Sequence, residues 1–398
     1  MAEFCRAHEA NSQCKEEFKK ISIKESILKT VSLLNTDFKG NGIDIKIDIE
    51  DSIYLICLEN QLKQALINIL INAKDAVIES GKELDIKNIK DLVNEGKIDS
   101  DALLTIGASN SLQNLVGSKI SSKDKLNIES LKIVNKGKFH SDKEMNITAT
   151  GGEINNEEKG LISSKDNIVI TASGGKFTQK SSGKEYGIVT DAGKLTFKSN
   201  NIDLTGGTID ANKGVDIILE NDFINHSSSI ISDKDIIFNV KNNISNSGTL
   251  ESKNDIKADK FNSLTNNGFI SSRGSVAFTD ATGLIVNDGV IQAQNRIDLS
   301  AKANIENNKT LYALQGMKIT AENDVVNKGT IFSYKDLNIT SSSGKIQNEG
   351  DIFALTGGLD ISGNNGYEQS GAKARIWGGT LIDIAASNGS VKVANNAL

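Results

Sequence analysis

The chain has 398 residues, a formal net charge of −6 and a pI near 5.4, with 5% aromatic residues and four arginines (Arg6, Arg273, Arg296, Arg375). Without a basic field to hold a phosphate backbone, nucleic acid is not an expected partner. Proline is absent, where ordinary usage would supply about 20; a chain whose strands are hydrogen-bonded on both edges has few places for a residue that lacks an N–H.

The length points to two domains. Residues 1–19 are polar and charged with no apolar signal-peptide core, and read as a disordered or helical tail. No run of 18 apolar residues occurs anywhere, so no membrane span is expected. The three cysteines, Cys5, Cys14 and Cys57, all lie near the start, so the rest of the chain has no disulfide or thiolate site to stabilise it.

Residues 20–82 read as a small α/β segment: a helix, strands at 43–49 and around 54–57, and a second helix from about 60 to 80. In that second helix apolar residues recur at helical spacing, while Gln64, Asn68, Asn72 and Asp75 fall on a neighbouring polar face. The string QLKQALINILINAKDAV resembles the N-box of sensor histidine kinases, and the text before it resembles the start of their ATPase domain. The resemblance implies a magnesium-ATP site in which Asn72 would coordinate the ion and Asn68 and Asp75 would flank it, oxygen donors being suited to a hard cation. It ends at residue 80. No G-x-G follows to read adenine or to cover phosphates, so the segment reads either as a truncated kinase remnant or as an α/β cap for the first turn of the repeats, and neither ATP turnover nor a bound cofactor is expected. His8 reads as an exposed histidine rather than a phosphoacceptor.

From residue 83 to 398 the text repeats. Asn94, Asn114, Asn135 and Asn155 are spaced 20, 21 and 20; Asn225, Asn246, Asn266, Asn287, Asn307, Asn327 and Asn348 follow at 21, 20, 21, 20, 20 and 21. Between them the register blurs, with markers near 178 and 205, and again near 369 and 390. A unit of about 20 residues buries its apolar side only when a neighbour covers it, so the units must stack. Alternation places Ile128, Ile147, Ile170, Phe197, Ile217, Phe238, Phe278, Leu299, Ile319, Ile339 and Ile361 on one inward face. The predicted fold is mainly β, a parallel β-helix of about 15 turns and roughly 70 Å at the usual strand spacing.

The corners read Asn-x-Gly. Glycine accepts positive φ, asparagine tolerates the left-handed region, and stacked asparagines can bond one another as a ladder. The predicted role of these asparagines is structural. Residues 176–190 read as an outward loop.

The blocks Asn246-Ser247-Gly248, Asn266-Asn267-Gly268, Asn287-Asp288-Gly289 and Asn327-Lys328-Gly329, each followed by apolar residues, resemble the filamentous haemagglutinin repeats of two-partner secreted adhesins and exoproteins. The resemblance covers about four-fifths of the chain. It implies a right-handed β-helix, export through an outer-membrane transporter, a surface-exposed or secreted parent protein, and contact with host cells, other bacteria, matrix or a glycan receptor. The further alternative, a polysaccharide-active enzyme on a β-helix, needs acidic and basic side chains grouped on one face, and catalysis is not expected: Asp233, Asp235 and Asp255 sit at turns, and His140 and His226 stand four turns apart and suggest no metal pair. Few aromatics means few stacking platforms for sugars, and Trp377, the sole tryptophan, is expected to pack within the last turns.

Overall fold

A computed structural model describes residues 18–40, 53–74, 77–181, 183, 185–371 and 374–394, apart from the side chains of 34–40, 68–74 and 77. The chain divides into two compact units at Val77 and Ile78.

In the first unit the strand Lys19–Ser22 pairs antiparallel with Tyr54–Cys57, and the helices Ile23–Gly40 and Glu59–Lys74 follow those strands. The Glu25 N–H donates to Ser22 Oγ at 3.4 Å, in the manner of an N-cap. The strand expected at 43–49 lies outside the described residues. The second helix, expected to run to 80, is described over Glu59–Lys74, and Val77–Ser80 is instead the first strand of a 15-stranded sheet. Val77 and Ile78 are β-branched and suit a strand, and the next turn pairs with it through the Asp101 N–H on the Ser80 carbonyl at 2.8 Å. The solenoid therefore begins about five residues earlier than the repeat text suggested.

The second unit is a parallel β-solenoid of about 15 turns. Each turn has three faces. In the early turns one long strand bends across the first two faces, as in Leu104–Asn114 and Met145–Glu158. From Val215 onward that strand is split, with Val215–Leu219 on the first face and Phe223–Asn225 on the second. The third face is the 15-stranded sheet, whose strands are four residues long, such as Ser229–Ser232.

The inward column of the first face runs in register as Ile128, Ile147, Ile170, Phe197, Ile217, Phe238, Ala258, Phe278, Leu299, Ile319, Ile339 and Ile361. All are buried. Ala258 explains the one gap in the apolar repeat: its small side chain lets the rings of Phe238 and Phe278 reach across it, 6.5 Å apart, while Phe261 meets Phe278 edge-on at 6.2 Å. Burying such a side chain contributes about 1.5–3 kcal/mol.

The second face ends in the asparagine column. Asn94, Asn114 and Asn135 each donate through Nδ2 to the Oδ1 of the next member at 2.8 Å. The next member is Asn156, buried, and not Asn155, which points outward and donates to Glu153 Oε1. Asn225 through Asn348 repeat the pattern at 2.8–2.9 Å. Where the text blurred, register assigns Gln179, Leu204, Gln369 and Val393 to this column. Leu204 thus separates two polar runs.

The corner glycines have a different cause from the one expected. Gly248, Gly268, Gly289, Gly329 and Gly350 do not have positive φ, and the asparagines are strand residues. What glycine provides is close approach: a Cβ on Gly268 or Gly289 would stand 2.1 Å from the carbonyl oxygen of the glycine one turn below, and one on Gly350 would stand 2.0 Å from Gly329 O. The predicted loop is also shorter than expected. Ile168–Ser181 stays in strand, and Gly187–Thr190 resumes the third face, so most of the expected loop is strand.

Candidate functional site: an outward aromatic stripe

On the third face each four-residue strand turns its second and fourth side chains inward. The fourth position is a column of small buried residues: Ser100, Ser122, Ser141, Ser164, Thr190, Ala211, Ser232, Ser252, Ser272, Ala293, Ala313, Ser333 and Ala354. Several of these hydroxyls donate to a carbonyl of the adjoining turn, for instance Ser100 to Lys82 O and Ser252 to Lys234 O, both at 2.7 Å. The repeat text did not reveal this second polar column, because serine, threonine and alanine share it.

The third position points outward and is the part of the molecule that changes character along the axis. It reads Asp99, Ser121, His140, Ser163, Val189, Asp210, Ile231, Glu251, Ser271 and Gln292, and then Tyr312, Phe332, Phe353 and Trp377. Four successive turns carry an aromatic ring at one register position. Tyr312 and Phe332 stack with centroids 5.0 Å apart and planes 8° from parallel. The Arg375 guanidinium lies 5.4 Å from the centroid of the Phe353 ring while forming a two-pronged bond to Asp351, 2.8 Å in each arm.

The corner column beside it changes at the same turn. It begins with charges paired across turns, Asp101 with Lys123 at 2.6 Å, Asp142 with Lys165 at 3.0 Å, and Asp233 with Lys253 at 2.6 Å. It then becomes Leu314, Tyr334 and Leu355, which follow Ala313, Ser333 and Ala354 in the chain. Tyr334 and Leu355 are exposed. Two adjacent outward columns therefore become apolar together over the last turns of this face.

Trp377 is 55% exposed and Tyr312 37% exposed, so the tryptophan does not pack within the last turns as expected. Its neighbour Ile376 takes the inward place against the core, and alternation along Arg375–Gly378 turns the indole outward. Aromatic surface is scarce by composition but collected by the fold into one stripe.

The other residues singled out in the sequence stand as follows. Asn68 and Asn72 belong to the helix Glu59–Lys74, and Asp75 lies outside the described residues. His140 is held between Ser163 Oγ at 2.9 Å and Asp142 Oδ1 at 3.1 Å, and burial pushes its pKa down, which keeps the imidazole neutral near neutral pH. His226 lies 3.4 Å from Asp203. Among the turn aspartates, Asp233 pairs with Lys253, and both Asp235 and Asp255 face Lys257. Among the described residues no group of three or more His, Cys, Asp and Glu side chains is arranged to hold a metal ion, and no helix is long and apolar enough to cross a membrane.

Fold and site together define a parallel β-solenoid whose outer surface, in its last turns, carries an aromatic face. No known protein family, curated protein or solved structure matches the chain.

Proposed function

We propose that this chain is the rod segment of a bacterial surface-exposed or secreted exoprotein of the filamentous haemagglutinin kind, and that it serves adhesion by presenting the aromatic face to a cell surface, matrix or glycan. The observation that supports this reading most is the alignment of Tyr312, Phe332, Phe353 and Trp377 on successive turns of the outer face. Exposed aromatic side chains on a hydrogen-bonded scaffold lose little conformational freedom on binding, and the register between neighbouring rings is fixed by the backbone ladder. Export would then depend on an outer-membrane transporter. The truncated kinase-like segment has no part in adhesion on this reading.

Beads coated with the full chain test it. Coated beads should bind host or bacterial cells above bare beads, and the double variant Tyr334→Ala, Trp377→Ala should reduce binding without moving the unfolding midpoint. Equal binding by bare and coated beads across the cell types tried would remove the adhesive reading.

A further inference from the structure

The aromatic stripe begins at a pocket. Where the outward column changes from polar to aromatic, a cavity of about 280 Å³ is lined by Ser271, Arg273, Gln292, Gln294, Tyr312 and Leu314. The size suits one sugar ring rather than an extended cofactor. Its walls differ in chemistry. Tyr312 and Leu314 supply an apolar side that continues into Phe332. On the adjoining turn, between them and Ser271 and Arg273, stand the primary amides of Gln292 and Gln294, two being enough to read hydroxyls as both donors and acceptors. The Gln292 amide is fixed by its Nε2–H on Ser271 Oγ at 3.0 Å.

Arg273 determines what kind of sugar. The other described arginines have carboxylate partners, Arg296 with Asp298 at 3.6 Å and Arg375 with Asp351 at 2.8 Å. Among the described residues Arg273 has none, although it is exposed on a surface where most neighbouring corner charges are paired across turns. A guanidinium offers a planar fork of donors that matches a carboxylate in two parallel bonds. An aromatic wall, paired amides and an uncommitted guanidinium around a space of this size match a pyranose that carries a carboxylate.

We propose that this pocket binds an acidic sugar residue, its carboxylate on Arg273 and its apolar face against Tyr312, with the rest of the glycan chain running along Phe332, Phe353 and Trp377. The proposal rests on the adhesive reading and names its ligand class. Uronates and sialates share this chemistry, and the experiment separates them.

The full chain is titrated with three probes: an oligouronate, the same oligomer with its carboxyls reduced to alcohols, and a sialylated oligosaccharide. Arg273→Gln should weaken binding of the preferred acidic probe about tenfold or more, the loss expected for a charge-assisted pair. Lys123→Gln removes the same charge from a corner cation many turns away that is already held by Asp101, and should leave the affinity within about twofold. Tyr312→Ala should weaken the acidic and the reduced probe alike. The reduced oligomer should bind wild type and Arg273→Gln equally. If neither acidic probe binds, if Arg273→Gln binds like wild type, or if Lys123→Gln loses as much as Arg273→Gln, the pocket is not an acidic-sugar site. Retained adhesion of coated beads alongside any of those results overturns the pocket alone, whereas loss of bead adhesion removes the broader reading.

Discussion

Asn135 and Asn156, 21 residues apart, are joined by an Nδ2–H to Oδ1 hydrogen bond of 2.8 Å, while Asn155 beside them turns outward to Glu153. The even spacing of asparagines would have placed Asn155 in the ladder. The strand decides otherwise: between Ala149 and Glu153 it takes four steps where the turn below takes two, from Ser130 to Lys132. Since side chains alternate, register alone determines which asparagine faces inward.

The two neighbours should therefore respond differently to the same change. Asn156→Ala removes the acceptor of a buried amide and should destabilise the solenoid by about 1–3 kcal/mol. Asn155→Ala should stay within about 0.5 kcal/mol of the parent. The midpoints of denaturant unfolding compare them directly, and equal midpoints would contradict the assigned register.

The scaffold was largely legible in the sequence, and the candidate site was not. Inward residues are constrained by the turn above and below, so Ile128, Ile147 and Ile170 repeat with the turn and are visible as text. The outward column faces solvent and is free of that constraint, so its residue type drifts from Asp99 to Trp377. A low aromatic content suggests scattered rings. Yet Tyr312, Phe332, Phe353 and Trp377 are spaced 20, 21 and 24; applying the asparagine period to the aromatics would have found the stripe. The kinase-like string fared differently, for its asparagines lie on a helix of the separate first unit and Asp75 lies outside the described residues.

Leu204 is the one apolar member between the two asparagine runs, fully buried between Gln179 and Asn225. Leu204→Asn places a polar group where neighbours of its own kind stand above and below, whereas Ile217→Asn places the same group in an apolar column. The first should cost less than the second by about 2 kcal/mol, the difference between a paired and an unpaired buried amide. Thermal unfolding of the two variants measures this, and the reverse order would mean that the ladder does not extend through residue 204.

Gly268 carries the steric argument for the corners. Its Cβ would meet Gly248 O at 2.1 Å, and that carbonyl is the acceptor for the Phe269 N–H at 2.9 Å, so relief requires shifting a ladder bond. Gly268→Ala should lower stability by about 1–3 kcal/mol. Gly81 has nothing within 4 Å of an added Cβ, and Gly81→Ala should be close to neutral or slightly stabilising. If both changes have the same small effect, close packing of turns is not what selects glycine here.

Asp210 gives the solenoid a specific response to pH. It occupies the outward column of the third face between Val189 and Ile231, so burial against apolar neighbours pushes its pKa up, and the nearby Asp233 adds to the shift. A carboxyl with a raised folded-state pKa keeps its proton in the folded chain at pH values where the unfolded chain has released it. Its favourable contribution is therefore full below the ordinary aspartate range and is lost as pH rises through the raised value. Asp210→Asn keeps the shape without the charge. The variant should match the parent in acid and unfold at a higher temperature than the parent near neutrality, with the gap opening across the window between the unfolded and folded pKa. Melting curves of both proteins through that window decide the matter: a gap that stays constant with pH, or one that closes as pH rises, would show that Asp210 is not held in its protonated form by the fold.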